Sequence, residues 1–216
     1  MACTPDEDQI PGAVRDYFPI QRWIGVSDGE RGVVIAPLEA PLVQLGGITS
    51  ARWADRLEPE GPTIMSWPMN NHWEVNFKAS QDGEVPLTYH LTTHAGPTND
   101  TVAARFAAEQ AVPPIVLRDR VRTGAPQGRF LDIPMDSEVL VTAKPAEDSK
   151  AIILRFQNLK AEDQIVPVRF LSETLTSAAQ VSPIETETGE AIPIDASTIT
   201  VTLRPLAVMT VKVNLA

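Results

Sequence analysis

The chain has 216 residues, of which 18 are basic and 28 acidic, so its formal net charge is −10. This acidic balance argues against nucleic-acid binding, which needs a basic face, and against docking on an anionic membrane. The single cysteine, Cys3, excludes an internal disulfide. The 19 prolines disfavour an all-helical protein and are typical of short strands joined by turns.

Residues 1–16 are polar and contain Pro5 and Pro11, so we interpret them as a flexible arm. They include neither an apolar run nor a basic leader, and we therefore expect no signal peptide there. The sequence does not determine the location of the protein, and a cytoplasmic location is the expectation. No stretch of the sequence has the length and hydropathy that a membrane span requires.

The first predicted strands form a hairpin. The sequence predicts strands over residues 20–26 and 33–36, joined by a turn at Ser27–Gly32 that supplies suitable glycines. Another short strand is predicted over residues 42–45. Residues 51–62, which are rich in acidic residues and proline, are interpreted as a solvated loop.

The stretch Ser66–Gly83 concentrates aromatic, histidine and asparagine residues. Asn70 and Asn71 are interpreted as a turn, because asparagine tolerates left-handed backbone and hydrogen-bonds its own main chain. Residues 73–79 alternate with the period of a half-buried strand. The following Gln-Asp-Gly predicts a hairpin turn that leads into a second strand over residues 84–91.

One helix is predicted in this otherwise β-rich sequence. Thr98 or Asn99 is expected to cap it, and the apolar residues among 102–107 have helical spacing. Pro113 and its neighbouring proline are expected to end the helix. A short β segment is predicted over residues 115–117.

The pattern of predicted elements changes in the last third of the chain. Short strands recur there at a spacing that is typical of an antiparallel sandwich. The predicted strands cover residues 138–143, 151–157, 164–171, 178–182, 198–203 and 207–214. The predicted domains are the arm at 1–16, a first β domain at 17–118, a linker at 119–137 and a C-terminal β-sandwich at 138–216.

Three motifs carry a resemblance to a known family. Met69–Phe77, followed by Gln-Asp-Gly and by Thr92–Gly96, resembles the C-terminal region of glycoside hydrolase family 38, the α-mannosidases. Ala36–Gly46 is similar to that family's segment before the asparagine motif. Ala151–Asn158 resembles the strand that opens its last β-domain. By pattern alone, the resemblance spans roughly residues 20–216.

The resemblance implies an all-β fold, with part of a mutarotase-like supersandwich, then a smaller antiparallel β-sandwich, and one short helix. It implies that this chain is the C-terminal part of an α-mannosidase-like enzyme. A missing N-terminal catalytic domain would hold the zinc and the carboxylate nucleophile for retaining hydrolysis of α-mannosides. This chain would then carry no catalytic residue, metal ligand or cofactor, and its partners would be that domain and carbohydrate.

The residues themselves offer little independent catalytic chemistry. His90 and His94 are four residues apart, but they lie at a predicted strand end with no cysteine or paired aspartate. Ordinary hydrogen-bonded or exposed histidines are therefore favoured over a metal site. A retaining glycosidase needs two carboxylates about 5 Å apart. Glu39 and Glu74 are the candidates, although Glu74 is expected to face solvent.

Asn70, Asn71 and His72 are the best candidates for a sugar-binding polar cluster, and Trp67 is a candidate for stacking on a sugar ring. Turn formation by the asparagines and core packing by the tryptophan would account for the same residues. The resemblance favours the functional interpretation, because in the family this β region packs beside the catalytic cleft.

Two alternative functions stay open. The chain could be a free-standing carbohydrate-binding module with Trp53 or Trp67 as its exposed platform. It could also be a mutarotase-like sugar epimerase, in which a histidine and a carboxylate act together as acid and base. The candidate pairs for the epimerase combine His72 or His94 with Glu39 or Glu74.

Overall fold

The computed structural model describes residues 2–48, 54–70, 76, 78–116, 128–147, 150–186 and 188–216. The chain divides into two compact units, residues 2–115 and residues 116–216. Four antiparallel sheets and one helix make up the secondary structure of the described residues, which confirms the all-β prediction. Within the same ranges, no helix has both the length and the hydropathy needed to cross a bilayer.

The first unit contains two three-stranded sheets and the helix. One sheet has the strand order β1-β4-β5 and the other has the order β2-β3-β6. The elements are β1 Phe18–Pro19, β2 Ile24–Ser27, β3 Arg31–Pro37, β4 Leu42–Leu45, β5 Ile64–Ser66, β6 Tyr89–Ala95 and α1 Asp100–Ala111.

The turn between β2 and β3 forms as the sequence predicts. The carboxylate of Asp28 accepts hydrogen bonds of 2.9 Å from the backbone N–H groups of Glu30 and Arg31. These bonds lower the pKa of Asp28, because they stabilise its ionised form. Gly29 has a φ of +90°, a conformation that glycine adopts without steric cost. The turn thus brings β2 and β3 into antiparallel register, with Gly25 opposite Val34.

The predicted hairpin between residues 73–79 and 84–91 is wrong in its second strand. β6 begins at Tyr89 and pairs with β3, with Leu91 opposite Ile35. The described residues before it, 76 and 78–88, contain no strand. Pro86 explains part of the difference, since proline cannot donate to a sheet ladder. Residues 71–75 and 77 lie outside the described part of the chain.

Helix α1 confirms the predicted cap at Asn99. The side-chain oxygen of Asn99 accepts hydrogen bonds from the backbone N–H groups of Thr101 at 3.0 Å and Val102 at 3.1 Å. The helix contacts β3, and Ala103 and Ala107 are buried. The strand predicted over 115–117 is absent at residues 115 and 116, the two of its residues that the structure describes.

The second unit is a β-sandwich made of a four-stranded and a five-stranded sheet. The strand orders are β13-β14-β10-β7 and β12-β11-β15-β9-β8. The elements are β7 Leu131–Asp132, β8 Val139–Pro145, β9 Ile152–Asn158, β10 Gln164–Phe170, β11 Leu175–Val181, β12 Thr188–Ala191, β13 Ile194–Asp195, β14 Thr198–Leu203 and β15 Val208–Leu215.

Alternation of side chains builds the core between these two sheets. On β10 and β14, buried valines face each other across the ladder at Val166 and Val201. On the opposing sheet, Leu154 of β9 pairs with Val211 of β15, and both are buried. Burial of each such aliphatic side chain contributes roughly 1.5–3 kcal/mol to the stability of the folded state. Further members of this core include Phe156, Val168, Phe170, Ile199, Leu203 and Val213.

The segments predicted as arm and linker contain local structure. Arg15 forms an ion pair with Asp6, and the carboxylate of Asp6 also accepts the backbone N–H of Leu57. These contacts, the bond from Arg15 first, lower the pKa of Asp6. In the predicted linker, Leu131 and Asp132 form β7 and pair with β10. The flexibility of the arm and the domain boundaries stay predictions.

Candidate functional site

Trp67 follows β5 and is held by both its backbone and its ring. Its backbone N–H donates to the carbonyl of Leu42 at 2.9 Å. Its half-buried ring meets that of Tyr17 edge-to-face, with centroids 5.2 Å apart and an interplanar angle of 88°. Aromatic pairs of this geometry stabilise the fold by about 0.5–1.5 kcal/mol, in addition to the free energy gained by burying their surface. Trp67 is thus anchored on the sheet, while Tyr17 stays partly exposed.

A groove of about 250 Å³ lies between the two sheets of the first unit. Among the described lining residues, Ser66 and Tyr89 carry the hydroxyl groups, and their oxygens are hydrogen-bonded to each other at 2.7 Å. The remaining walls are aliphatic and belong to both sheets. They are Ile24, Ile35, Pro37, Val43, Ile64 and Leu91. Sequence patterns did not identify this groove, because its two walls come from strands that are far apart in the chain.

The predicted polar cluster is only partly covered by the structure. Asn70 is exposed, three residues after Trp67. Asn71 and His72 lie outside the described residues, so the grouping of these three side chains stays a prediction. Trp53 and Glu74, which the alternative functions invoke, also lie outside the described residues.

His94 occupies a structural position. Its ring lies over Gly32, where an added Cβ would come within 2.5 Å of the ring carbon Cε1. The Nε2 atom of His94 is 3.3 Å from the hydroxyl of Thr98. Among the described residues, no three His, Cys, Asp or Glu side chains are close enough to share a metal ion.

Glu39 also has a structural partner. Its carboxylate accepts a 2.7 Å hydrogen bond from the backbone N–H of Thr88, directly before β6. His94 is six residues after Thr88 along the same extended segment. At the usual rise per residue, the Cα atoms of Thr88 and His94 are about 20 Å apart. An acid and a base for one sugar would both have to lie about 3 Å from the reacting atoms. This separation along the β3–β6 ladder argues against Glu39 and His94 as the acid–base pair of an epimerase.

The second unit contains a charged cluster on the outer face of its five-stranded sheet. The carboxylate of Glu185 is only 9% exposed and is 2.6 Å from the ammonium of Lys144. The guanidinium of Arg155 is 3.7 Å from the same carboxylate and donates a 2.6 Å hydrogen bond to the carbonyl of Pro183. The hydrogen bond from Lys144 is the main cause that lowers the pKa of Glu185. Although Glu185 lies in the turn after β11, its side chain is therefore largely covered.

Asn158, the last residue of the motif Ala151–Asn158, is a buried polar hub. Its side-chain amide donates to the carbonyls of Glu162 at 2.7 Å and Arg204 at 2.8 Å. Its side-chain oxygen accepts the backbone N–H of Lys160 at 2.9 Å. The motif therefore includes one residue that fixes three backbone groups in two loops.

The sandwich of the second unit matches a known family. Residues 138–211 match the model of the "Glycosyl hydrolases family 38 C-terminal beta sandwich domain". This segment is a family 38 C-terminal β-sandwich domain. The resemblance to family 38 is confirmed for this segment, which contains the motif Ala151–Asn158. A comparison with curated proteins found no match.

Solved structures of larger family 38 proteins share the fold of this chain. One is an alpha-mannosidase from Enterococcus faecalis V583, which aligns with a TM-score of 0.61 at 18% identity over 92% of this chain. A second, a protein in glycosyl hydrolase family 38 from Enterococcus faecalis, aligns with a TM-score of 0.63 at 18% identity. The chain spans about a fifth of the length of these proteins, namely 21% and 22%.

Proposed function

We propose that this chain is the non-catalytic C-terminal β region of an α-mannosidase-like glycoside hydrolase involved in mannose metabolism. In this role it supports a catalytic domain and lines part of that domain's sugar cleft. The observation that carries the proposal is the family match of residues 138–211. The fold likeness over 92% of the chain supports an extension of this role to the first unit.

The catalytic chemistry belongs, in this proposal, to a separate domain that precedes this region. That domain would supply the zinc ligands and the nucleophile that the resemblance implies. The described residues of this chain hold no candidate cluster of metal ligands, and Glu39 already accepts a backbone hydrogen bond. In this proposal, no catalytic step is assigned to residues of this chain.

The supporting role is tested with the polypeptide that the same gene encodes upstream of residues 1–216. We expect this polypeptide to aggregate when it is expressed alone, and to become soluble when residues 1–216 are coexpressed from a second plasmid. The expected reason is that an interface normally covered by the β region is exposed. Soluble, monomeric and fully active upstream polypeptide without residues 1–216 would contradict the supporting role.

Asn70, Asn71, His72 and Trp67 are proposed to lie at the wall of the sugar cleft. The test is Asn71→Ala in the protein translated from the complete reading frame. We expect kcat/KM for an aryl α-mannoside to fall about tenfold, a loss of about 1.4 kcal/mol in transition-state binding, at an unchanged melting temperature. The exposed Asn76 gives the matched control, Asn76→Ala, with unchanged kinetics. A lower melting temperature with ordinary kinetics would instead indicate a structural turn.

A carbohydrate-binding module is the second candidate, and the partly exposed Tyr17–Trp67 pair is the observation that favours it. Aromatic rings that are accessible to solvent can stack on sugar rings. The test is a titration of residues 1–216 with mannobiose, followed by tryptophan fluorescence, on the wild-type chain and on Trp67→Ala. Saturable binding that Trp67→Ala abolishes would favour the module, and no binding by the wild-type chain would eliminate it.

A further inference from the structure

We propose that β6 is a docking edge for an extended strand of the catalytic polypeptide, and that an aliphatic side chain of this strand enters the groove beside Leu91. The proposal rests on the proposed function, because the partner is the catalytic part of the α-mannosidase-like enzyme. It adds the surface, the binding mode and the chemistry of the segment that docks there.

The hydrogen-bonding pattern of the β3–β6 ladder shows which backbone groups of β6 face away from β3. At one end of the β3–β6 ladder, the N–H of Leu38 donates to the carbonyl of Thr88 at 3.0 Å. At the other end, the N–H of Gly96 donates to the carbonyl of Glu30 at 2.7 Å. The register between them is unbroken, and bonded pairs alternate along an antiparallel ladder.

It follows that alternate residues of β6 direct their backbone groups to opposite sides. His90, Thr92 and His94 bond to β3, whereas Leu91 and Thr93 direct their N–H and C=O groups away from it. No strand among the described residues pairs with this outer side, since β6 is the last strand in the order β2-β3-β6. These outward groups form the hydrogen-bonding row that an added strand needs.

Nothing in β6 itself protects this edge. Natural edge strands commonly carry lysine, proline or a bulge, which prevent pairing with another chain. β6 has the sequence Tyr-His-Leu-Thr-Thr-His-Ala, with no lysine, proline or register shift. Leu91 is 63% exposed at this edge. A regular, seven-residue edge with an exposed leucine is the kind of surface that accepts another strand.

The groove defines the chemistry of the docking segment. Leu91 and Tyr89 line the groove from β6, and Ile35 lines it from β3. The hydroxyls of Tyr89 and Ser66 already hydrogen-bond to each other, so little hydrogen-bonding capacity is left for a polar ligand. A sugar would need several convergent polar groups. The groove therefore suits an aliphatic side chain of a strand whose alternate residues are polar.

The length of the solved relatives favours the catalytic polypeptide as the occupant. This chain aligns over nearly its whole length with structures of which it spans 21–22%. An enzyme of that size has a large catalytic part that must be fixed to the β region. A second copy of this chain is the competing occupant, and the experiment below separates the two.

The experiment measures the affinity of residues 1–216 for the upstream polypeptide of the same gene, in a complex that is obtained by coexpressing the two as separate chains. Leu91→Asp places a charge in the groove, and Thr93→Pro removes one outward N–H without removing a bond to β3. The control is Ile165→Asp, since Ile165 is 70% exposed on β10. We expect both edge variants to bind at least about tenfold more weakly, a change of about 1.4 kcal/mol. The control should bind like wild type, and all isolated variants should keep the wild-type melting temperature.

Hydrogen exchange provides a second readout that does not depend on a variant. In the isolated chain, the amides of Leu91 and Thr93 should exchange fast while those of Thr92 and His94 are protected. In the complex, all four should be protected. Protection of Leu91 and Thr93 in the isolated monomer would overturn the proposal, because the edge would already be occupied.

The remaining outcomes separate the two proposals. Wild-type binding by both edge variants would overturn the docking edge and leave the proposed function intact. A dimer of residues 1–216 that Leu91→Asp converts to a monomer would make a second copy the occupant, and would overturn the assignment to the catalytic polypeptide. Failure of wild-type residues 1–216 to bind the upstream polypeptide would overturn the proposed function, and the docking edge with it.

Discussion

The carboxylate of Glu185 lies 2.6 Å from the ammonium of Lys144, across the outer face of the five-stranded sheet. Glu185 has a φ of +64° and therefore adopts the left-handed conformation. Its backbone N–H donates to the carbonyl of Ser182 at 2.9 Å. The turn after β11 is thus fastened to β8 by one carboxylate, and this contact gives the first prediction.

Glu185→Gln should lower the melting temperature at pH 7, because Lys144 and Arg155 lose their anionic partner. The pKa of Glu185 is lowered in the folded protein relative to its ordinary value of 4.5. Its contribution to the free energy of unfolding is therefore present above that value and is lost as the pH falls below it. We expect the difference in melting temperature between the variant and wild type to shrink between about pH 5 and pH 3.

The control for this prediction is Glu162→Gln, since Glu162 is exposed and its side chain has no ion pair among the described residues. It should leave the melting temperature unchanged at pH 7 and at about pH 3. A difference between Glu185→Gln and wild type that stays constant from pH 7 to pH 3 would contradict the role of the ionised carboxylate.

Two adjacent glycines give a prediction about close packing. Gly46 has a φ of +83°, and an added Cβ would lie 2.5 Å from the Cα of Pro59. Gly47 has no atom within 4 Å of an added Cβ. We expect Gly46→Ala to reduce the free energy of unfolding by about 1–3 kcal/mol, and Gly47→Ala to change it by less than about 0.5 kcal/mol. Equal midpoints of the two variants in urea denaturation would contradict this part of the structure.

Asn158 gives a prediction about the second unit. It is 1% exposed, and its side chain satisfies two carbonyls and one N–H. Asn158→Ala should cost about 3 kcal/mol of unfolding free energy, because these groups lose their partners in a buried place. The control Asn214→Ala removes a single hydrogen bond, to Ser177, in a more exposed place. It should cost less than about 1 kcal/mol of unfolding free energy. Chemical denaturation that ranks the two variants in the opposite order would refute the assignment.

Local patterns predicted the second unit better than the first. Strands β10 and β14 follow a strict alternation, and the structure places Val166 opposite Val201 as that alternation requires. The cap at Asn99 was likewise readable, because the capping bond is made within four residues. In these elements the sequence and the structure are related by short-range geometry alone.

The first unit depends on pairings that local patterns do not encode. β6 pairs with β3, more than fifty residues earlier in the chain, and the described residues directly before β6 form no strand. The groove beside Leu91 requires walls from both sheets. The ion pair of Glu185 joins it to Lys144, forty-one residues away. These features follow from tertiary contacts, so no period or spacing in the sequence identified them.

Hydrolysis of an aryl α-mannoside tests the central claim most directly. The assay compares purified residues 1–216, with and without added zinc, with the protein translated from the complete reading frame. The account predicts no turnover by residues 1–216 under either condition and clear turnover by the complete protein. Turnover by residues 1–216 that follows the main protein peak through two chromatography columns would contradict the account, because the active site would then lie in this chain.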